Sequence, residues 1–247
     1  MLAAIVLTHN EEENIKKCLD SLNYCDQIVV VDDGSTDNTV KIAEKMGATI
    51  LEHVWTEDYS AQRNWTLDQV KSSWILFVDA DEVISPKLAQ EIKSAIKRTE
   101  FKGFFLPRID YMCGKKLKHG DVGGVKLLRL ARRGAGEWHG RVHETWNIEG
   151  SVGTLKNPIY HHPHKNLADF LQCINSYSSI KAREFFEQGR RTNILEIVLG
   201  PVARFIYLYI FKLGFLDGTP GFIHAMTMSF YAYLVAGKLW LLYKGIK

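Results

Sequence analysis

Three short acidic clusters in the sequence have the residue types and positions to do chemistry: THNEE (8–12), DDGSTD (32–37) and DADE (79–82). Each follows an apolar run that reads as a β-strand. Each would therefore sit at a strand's carboxyl end, where open α/β sheets bind ligands. Asp79 and Asp81 lie two apart, and in extended chain they point the same way. Carboxylates that close raise each other's pKa unless a positive charge intervenes. A divalent cation with oxygen preference, Mg²⁺ or Mn²⁺, would resolve the repulsion, and such a cation commonly holds a substrate diphosphate. Plainer local readings exist for each cluster. DADE can be an acidic solvated turn in which Glu82 only favours the following helix. DDGSTD can be a glycine turn with Ser35 or Thr36 capping a helix. In THNEE, Asn10 can cap a helix with Glu13 as its capping-box partner. THNEE lacks glycines, so it is no dinucleotide fingerprint.

The elements that must hold these clusters alternate. Residues 3–8 form an apolar strand, and Ile15, Cys18, Leu19 and Leu22 then recur at helical spacing. Residues 27–31 are a β-branched strand, Val40, Ala43 and Met46 line a second helix, and 48–51 make a short strand. A helix over 62–71 precedes a buried strand over 74–78. Ser85-Pro86 opens a further helix, with serine as cap and proline at the first position, and Leu88, Ile92, Ala95 and Ile96 form its buried face. This alternation predicts an α/β fold with a mainly parallel sheet flanked by helices. From 104 to 164 the pattern changes: FFLPRIDY and VKLLRLARR read as strands among frequent Gly and His. After Asn166 the chain turns helical, and from Ile194 it becomes markedly apolar. The expected division is a catalytic domain over 1–165, with halves 1–103 and 104–165, and a helical region over 166–247.

Composition excludes several classes. The chain has 247 residues and a net charge of only +3, so nothing suggests nucleic acid as a partner. Residues 192–247 hold five Lys/Arg and two Asp/Glu, which leaves 26 of each sign before them. All the excess positive charge therefore lies in the most hydrophobic part. The four cysteines, Cys18, Cys25, Cys113 and Cys173, form no CxxC pair. A reducing cytosol suits them better than a disulfide framework, and Cys18 falls on a helix face as a core residue. The N-terminal MLAAIVLTHN has no basic n-region and too short an apolar run for a signal peptide. A cytoplasmic catalytic part is expected. Residues 205–216 and 222–243 are long apolar runs, and the second approaches spanning length, roughly 20 residues. Pro201 and Arg204 precede the first and Lys212 interrupts it, while His224 and Lys238 interrupt the second. Tyr207, Tyr209, Tyr231, Tyr233, Trp240 and Tyr243 favour a headgroup boundary. These features read as interfacial helices lying on the inner face of the cell membrane, where each Lys or Arg contributes about 1 kcal/mol against anionic lipid. Packing within the fold, or across a homo-oligomer, is the alternative.

THNEEENI, VVVDDGSTDNT, AQRNW and WILFVDADE, in this order, resemble a family 2 glycosyltransferase of the GT-A fold. WHGRVHE (138–144), NPIYHH and GFLDGTPGF (214–222) narrow the resemblance to the subgroup that includes lipopolysaccharide core β-glucosyltransferases. It implies an inverting, metal-dependent transfer from a nucleotide-sugar donor, most simply a UDP-sugar, to a lipid-linked or lipopolysaccharide-type acceptor. Thr8, Asn10 and Glu11 would line the nucleotide pocket, with Asp32 or Asp33 facing the base. Arg63 would lie near the diphosphate, which suits a guanidinium. Asp79 would lie near the ribose and metal, Asp81 would ligate the Mn²⁺ or Mg²⁺, and His161 would complete the metal shell or touch the diphosphate. Glu144 matches the family's general base, with Asp121 in reserve.

Two other classes compete. FVDADEV also fits the nucleophile motif of haloacid-dehalogenase-like phosphohydrolases, with Asp79 attacking. Against that, no Asp-Asp pair follows residue 83, and the strand comes fourth rather than first. A non-catalytic sugar-nucleotide-binding protein is the second alternative. His139 and His143 are four apart, but HGRVHE is not HExxH and Gly140 weakens a helix there, which rejects a zinc protease.

Overall fold

A computed structural model describes residues 1–54, 56–142, 144–163 and 166–246. The chain forms two compact units, Met1–Arg108 with Val125–His161, and Ile109–Gly124 with His162–Lys247. The division differs from the one expected at residue 165, because Ile109–Gly124 groups with the C-terminal helices.

The first unit is built on β1 (Leu2–Thr8), β2 (Gln27–Asp32), β3 (Thr49–Glu52) and β4 (Trp74–Asp79), parallel in the order β3-β2-β1-β4. Register is even along the row: Thr8 lies beside Asp32, and Leu7 beside Asp79. Helices α1 (Ile15–Asp20), α2 (Thr39–Lys45) and α3 (Tyr59–Gln69) connect these strands. Strand β5 (Glu82–Ile84) and helix α4 (Pro86–Ala95) follow β4. Ser85 caps α4 as expected, its Oγ accepting from the Leu88 N–H at 3.2 Å. Helix α3 starts three residues before its expected position because Asp58 caps it, accepting from the Ala61 N–H at 2.9 Å.

The parallel sheet ends at β4. Beyond it the partner strand β8 (Lys126–Arg132) runs antiparallel to β4 and to β6 (Gly103–Met112). Strands β7 (Lys115–Lys116), β9 (Gly136–His139), β10 (Thr145–Ile148), β11 (Val152–Thr154) and β12 (Ile159–His161) complete the set. Strands β9 and β10 form a hairpin, and β12 pairs antiparallel with β5. Strands buried on both faces carry continuous apolar runs. Ala4, Val6, Val30, Leu76 and Val78 pack on one face against Ile15, Cys18 and Leu19 of α1 and Leu88 and Ile92 of α4. Ala3, Ile5, Val31, Ile75 and Phe77 pack on the other against Trp138 and Trp146 of the hairpin.

In the second unit, α5 (Leu167–Glu187) is followed by α6 (Ile194–Ile206), a π-helical turn (Tyr207–Phe211), a 3-10 turn (Gly214–Asp217) and α7 (Gly218–Tyr243). Asn166 and Asn193 cap α5 and α6 through their side chains. Lys238 of α7 reaches α5, donating to the Asn175 carbonyl at 2.6 Å and to the Ser178 and Ser179 hydroxyls. The first turn of α7 needs glycine at position 221, because a Cβ there would collide with the Gly214 carbonyl oxygen. The segment Ile109–Gly124 is tied to the helices by two carboxylates. Asp217 accepts from the amides of Lys118 and His119. Asp121 lies between Arg204 and His224, at 2.7 Å from each. The ranges Ile194–Phe211 and Gly214–Tyr243 are long and apolar enough to cross a membrane by length and composition.

Candidate active site

The tip of β4 carries Asp79, and the chain around it is arranged to meet that charge twice. Arg63 of α3 donates through an Nη to Asp79 Oδ1 at 2.9 Å and through Nε to Glu144 Oε1 at 2.8 Å. Arg129 of β8 donates to Asp79 Oδ2 at 2.6 Å. Both guanidinium groups are buried. The Arg63 group lies over the Trp138 ring at 4.7 Å and the Phe77 ring at 5.2 Å, so apolar walls fix its plane. Asn64 fastens α3 to β9, donating to the Trp138 carbonyl at 2.9 Å and accepting its N–H at 2.8 Å. The Phe77 ring meets Trp138 and Trp146 edge-on. Burial would push the Asp79 carboxyl up, but Arg129 and then Arg63 offset it and hold it well below the usual carboxylate range.

Ala80 and Asp81 form a turn, so Asp79 and Asp81 do not continue one extended strand. The two expected neighbours consequently have separate partners. Asp79 takes the arginines, while Asp81 Oδ2 lies 3.3 Å from His161 Nε2. At Asp79 guanidinium groups supply the neutralising charge that the spacing of the two acids had assigned to a divalent cation. The solvated-turn reading of DADE is corrected too. Glu82 is fully buried and pairs in β5, opposite His161 of β12. Its Oε2 accepts the Asp79 N–H at 3.0 Å, and Arg108 and Arg129 stand 4.0 Å from its Oε1. Burial, then Asp79, raises its pKa.

The tips of β1 and β2 are stitched to each other. Asn10, at φ 55°, does not cap α1, which begins at Ile15. Its Oδ1 accepts from the Thr36 N–H at 2.8 Å, and its own N–H donates to Ser35 Oγ at 2.9 Å. The Glu11 N–H donates to Thr39 Oγ1, and the Asp33 N–H to the Thr8 carbonyl. Asp37, rather than Ser35 or Thr36, supplies the side-chain acceptor at the start of α2, taking the Thr39 N–H at 2.9 Å. Thr8 Oγ1, Asp32 Oδ1, His53 Nδ1 and Asp81 Oδ1 are buried without a hydrogen-bond partner. They lie at or just beyond the carboxyl ends of β1, β2, β3 and β4. A buried polar atom left unpaired costs about 1–3 kcal/mol. Four at one edge of a sheet are what a polar ligand would satisfy.

The structure thus joins Arg63, Asp79 and Glu144 directly, pairs Asp81 with His161, and gathers Thr8, Asn10, Glu11, Asp32 and Asp33 at two adjacent strand ends. Asp121 belongs to the second unit, where both its oxygens are engaged. His143 lies outside the described residues. Sequence reasoning missed Arg129 and undervalued Glu82. The signal for Arg129 was a charge at an inward position of an apolar strand, since buried arginines are nearly always paired. Asp81 and His161 suit Mn²⁺ or Mg²⁺ through the unpartnered Asp81 oxygen and the adjacent imidazole. Among the described residues no three His, Cys, Asp or Glu groups come together to hold an ion by themselves. Two protein ligands would leave the remaining positions to substrate oxygens and water.

Residues 3–145 match the glycosyl transferase family 2. The chain belongs to that family. Its sequence is 30% identical to the lipopolysaccharide core biosynthesis glycosyltransferase LpsC of Rhizobium meliloti (strain 1021), over 97% of this chain and 92% of the relative. Its fold is that of the GT-A glycosyltransferases. The mannosyltransferase PcManGT from Pyrobaculum calidifontis, solved with GDP-Man and Mn²⁺, superposes with a TM-score of 0.56 at 13% identity, covering 96% of this chain and 86% of that one. S. aureus TarS in complex with UDP-GlcNAc gives 0.50 at 15% identity, covering 99% and 92%. Family membership displaces the phosphohydrolase alternative, and the geometry agrees, since both oxygens of Asp79 are held by arginines rather than free to attack.

Proposed function

We propose that this glycosyltransferase moves a sugar from a nucleotide donor, a UDP-sugar, to a membrane-associated glycan or lipid acceptor of the lipopolysaccharide-core type, with inversion at the anomeric carbon. The observation that supports it most is the bond between Arg63 and Glu144, because it holds a carboxylate at a fixed place beside the end of β4. Glu144 accepts the acceptor hydroxyl's proton as the oxygen–carbon bond forms and the carbon–phosphate oxygen bond breaks. The unpartnered atoms of Thr8 and Asp32 receive the nucleoside, and Asn10 holds the two loops around it. Asp81 and His161 would hold Mn²⁺ or Mg²⁺, and the bound ion would supply positive charge against the departing diphosphate. The lipopolysaccharide-core role of LpsC supports the acceptor class, and the nucleotide sugars bound by PcManGT and TarS support a nucleotide-sugar donor.

The acceptor class gains support from α6. Its outward residues Leu195, Val198, Leu199 and Val202 are apolar and exposed, as are Phe222, Met226 and Phe230 of α7. A helix apolar on its outer face suits lipid better than water. We read α6 and α7 as lying on the membrane surface facing the cytoplasm. The deciding assay screens purified protein with Mn²⁺, a panel of UDP- and GDP-sugars and a lipid extract. Glu144→Gln should keep donor binding and lose transfer by at least ~10²-fold. Near-normal transfer would remove Glu144 as the base.

A further inference from the structure

Asp79, Arg63 and Glu144 do not form an isolated chain of ion pairs. It extends at its inner end to Arg129, which lies on β8 and only 7% of whose side chain is exposed. Arg129 spans Asp79, with one Nη 2.6 Å from Oδ2 and the other 3.4 Å from Oδ1. Its partner Asp79 uses the remaining face of Oδ1 for Arg63, whose Nε reaches Glu144. The charges alternate along the line Arg129, Asp79, Arg63, Glu144. Glu82 lies behind them, taking the Asp79 N–H at 3.0 Å and standing 4.0 Å from Arg129.

We propose that Arg129 is a positioning residue for transfer, acting on Glu144 through Asp79 and Arg63. The inference rests on Glu144 being the base. Three geometric facts favour it. Arg129 lies at a register shift in β8: its neighbour Leu130 pairs with Leu76 of β4 and Phe104 of β6, Leu128 pairs with Phe105, and the irregularity at Arg129 itself re-aims its side chain toward the end of β4. Arg63 comes from a helix, and Glu144 stands just before β10, outside any strand. Each of these two needs an external reference to stay in place. The Asp79 carboxylate can give one only if its own rotation is fixed. The Arg129 fork fixes it by holding both oxygens, which a single point charge could not do. Without Arg129, Asp79 keeps only its Arg63 bond and can swing about it, Arg63 keeps its plane between Trp138 and Phe77 but slides within it, and the Glu144 oxygen drifts from the acceptor hydroxyl. A displacement of about 1 Å costs on the order of 10²-fold in such reactions.

A buried arginine that merely balanced charge would also harm the protein when replaced, so the test is a double-mutant cycle on transfer. Wild type, Arg129→Met, Glu144→Gln and the double variant are compared by single-turnover transfer with the donor and acceptor found by the screen. Binding of UDP with Mn²⁺ is measured by calorimetry. Arg129→Met should slow transfer by roughly 10²-fold with UDP affinity changed less than about twofold. Arg129→Lys should be intermediate, retaining the charge and losing the fork. In the Glu144→Gln background, Arg129→Met should slow the residual rate less than about threefold, since groups acting as one unit are not additive. Multiplying effects would overturn the inference while leaving Glu144 as base, and so would a loss of UDP affinity as large as the loss of rate. A Glu144→Gln variant of near-normal rate would overturn both. If Arg129→Met does not fold, Arg129→Lys runs the same cycle, with the same two outcomes.

Discussion

Arg63 is the residue on which the site's geometry turns, and two substitutions separate its charge from its shape. Arg63→Lys keeps a cation but cannot bridge Asp79 and Glu144 at once, because the two bonds, at 2.9 and 2.8 Å, leave from different nitrogens of one rigid plane. One carboxylate must be released. A hydrogen bond to a charged group contributes about 1.5–3 kcal/mol, and stacking on Trp138 adds about 0.5–2 kcal/mol. Loss of one bond with partial loss of the stack gives about 2–4 kcal/mol for lysine. Arg63→Met removes the cation and strands the Asp79 and Glu144 carboxylates beside Arg129 alone. Breaking a buried pair costs about 3–5 kcal/mol. At about 2–4 °C per kcal/mol for a domain of this size, the methionine variant should melt about 6–20 °C lower. Scanning calorimetry reads the stability, and single-turnover transfer reads the chemistry. Arg63→Lys should keep most of its fold and lose about 10²-fold in rate. A lysine variant with a wild-type melting temperature and near-normal transfer would refute the reasoning, because Glu144 would then need no guanidinium to hold it.

Other outcomes are open to measurement. Asp81→Ala should abolish Mn²⁺-dependent UDP binding by calorimetry, and His161→Ala should weaken it about 10-fold or more, the scale on which loss of one ligand-side contact acts; unchanged binding in both would remove this pair as the metal site. The Asp121 carboxyl is raised by burial but lowered further by His224 and Arg204, so its folded pKa lies below the unfolded value near ~4. The stability it contributes is present above that value and lost as pH falls through the folded pKa. Hydrogen-exchange protection in α6 and α7 should therefore fall on acidification below pH ~4, and Asp121→Asn should flatten that dependence. Val198→Glu with Val202→Glu places charges on the exposed apolar face of α6 and should release the protein from anionic phospholipid vesicles in a flotation assay without lowering transfer to a detergent-dispersed acceptor.

Much of this arrangement was legible because local signals and tertiary needs agreed. The parallel strands announce themselves as β-branched runs, and Ser85-Pro86 marks the start of α4 to the residue. Cys18 is buried, as its helical spacing required. The failures share a cause. Asn10, Ser35 and Thr36 are residues that cap helices, and short-range rules assign them to the nearest helix. In the fold they bond to each other across two loops 25 or 26 residues apart in sequence, which no local rule can see. Glu82 was misplaced for the same reason: its partners are Asp79 and a strand that arrives from residues 159–161. Arg129 could have been suspected from its strand, but its partner could not, because the pairing of β8 with β4 is a long-range choice.

Neutralisation of Asp79 by arginines changes what the rest of the site must do. Arg63 and Arg129 spend their donors on Asp79 and Glu144, and among the Arg63 nitrogens only one Nη is buried without a hydrogen-bond partner. The expected contact of Arg63 with a diphosphate then rests on that single nitrogen. Two guanidinium charges already matched by two carboxylates offer little net attraction to a further dianion. On the proposed function, the charge that grows on a departing diphosphate would be met by the Mn²⁺ or Mg²⁺ that Asp81, 3.3 Å from His161, would hold. The two acids of the DADE turn would then divide the work: Asp79 would order the base side of the site, and Asp81 would serve the leaving-group side. On this division, replacing Asp79 by Asn should damage the placement of Glu144 more than nucleotide affinity, while replacing Asp81 should do the reverse; equal losses in both variants would show that the turn acts as one cation site after all.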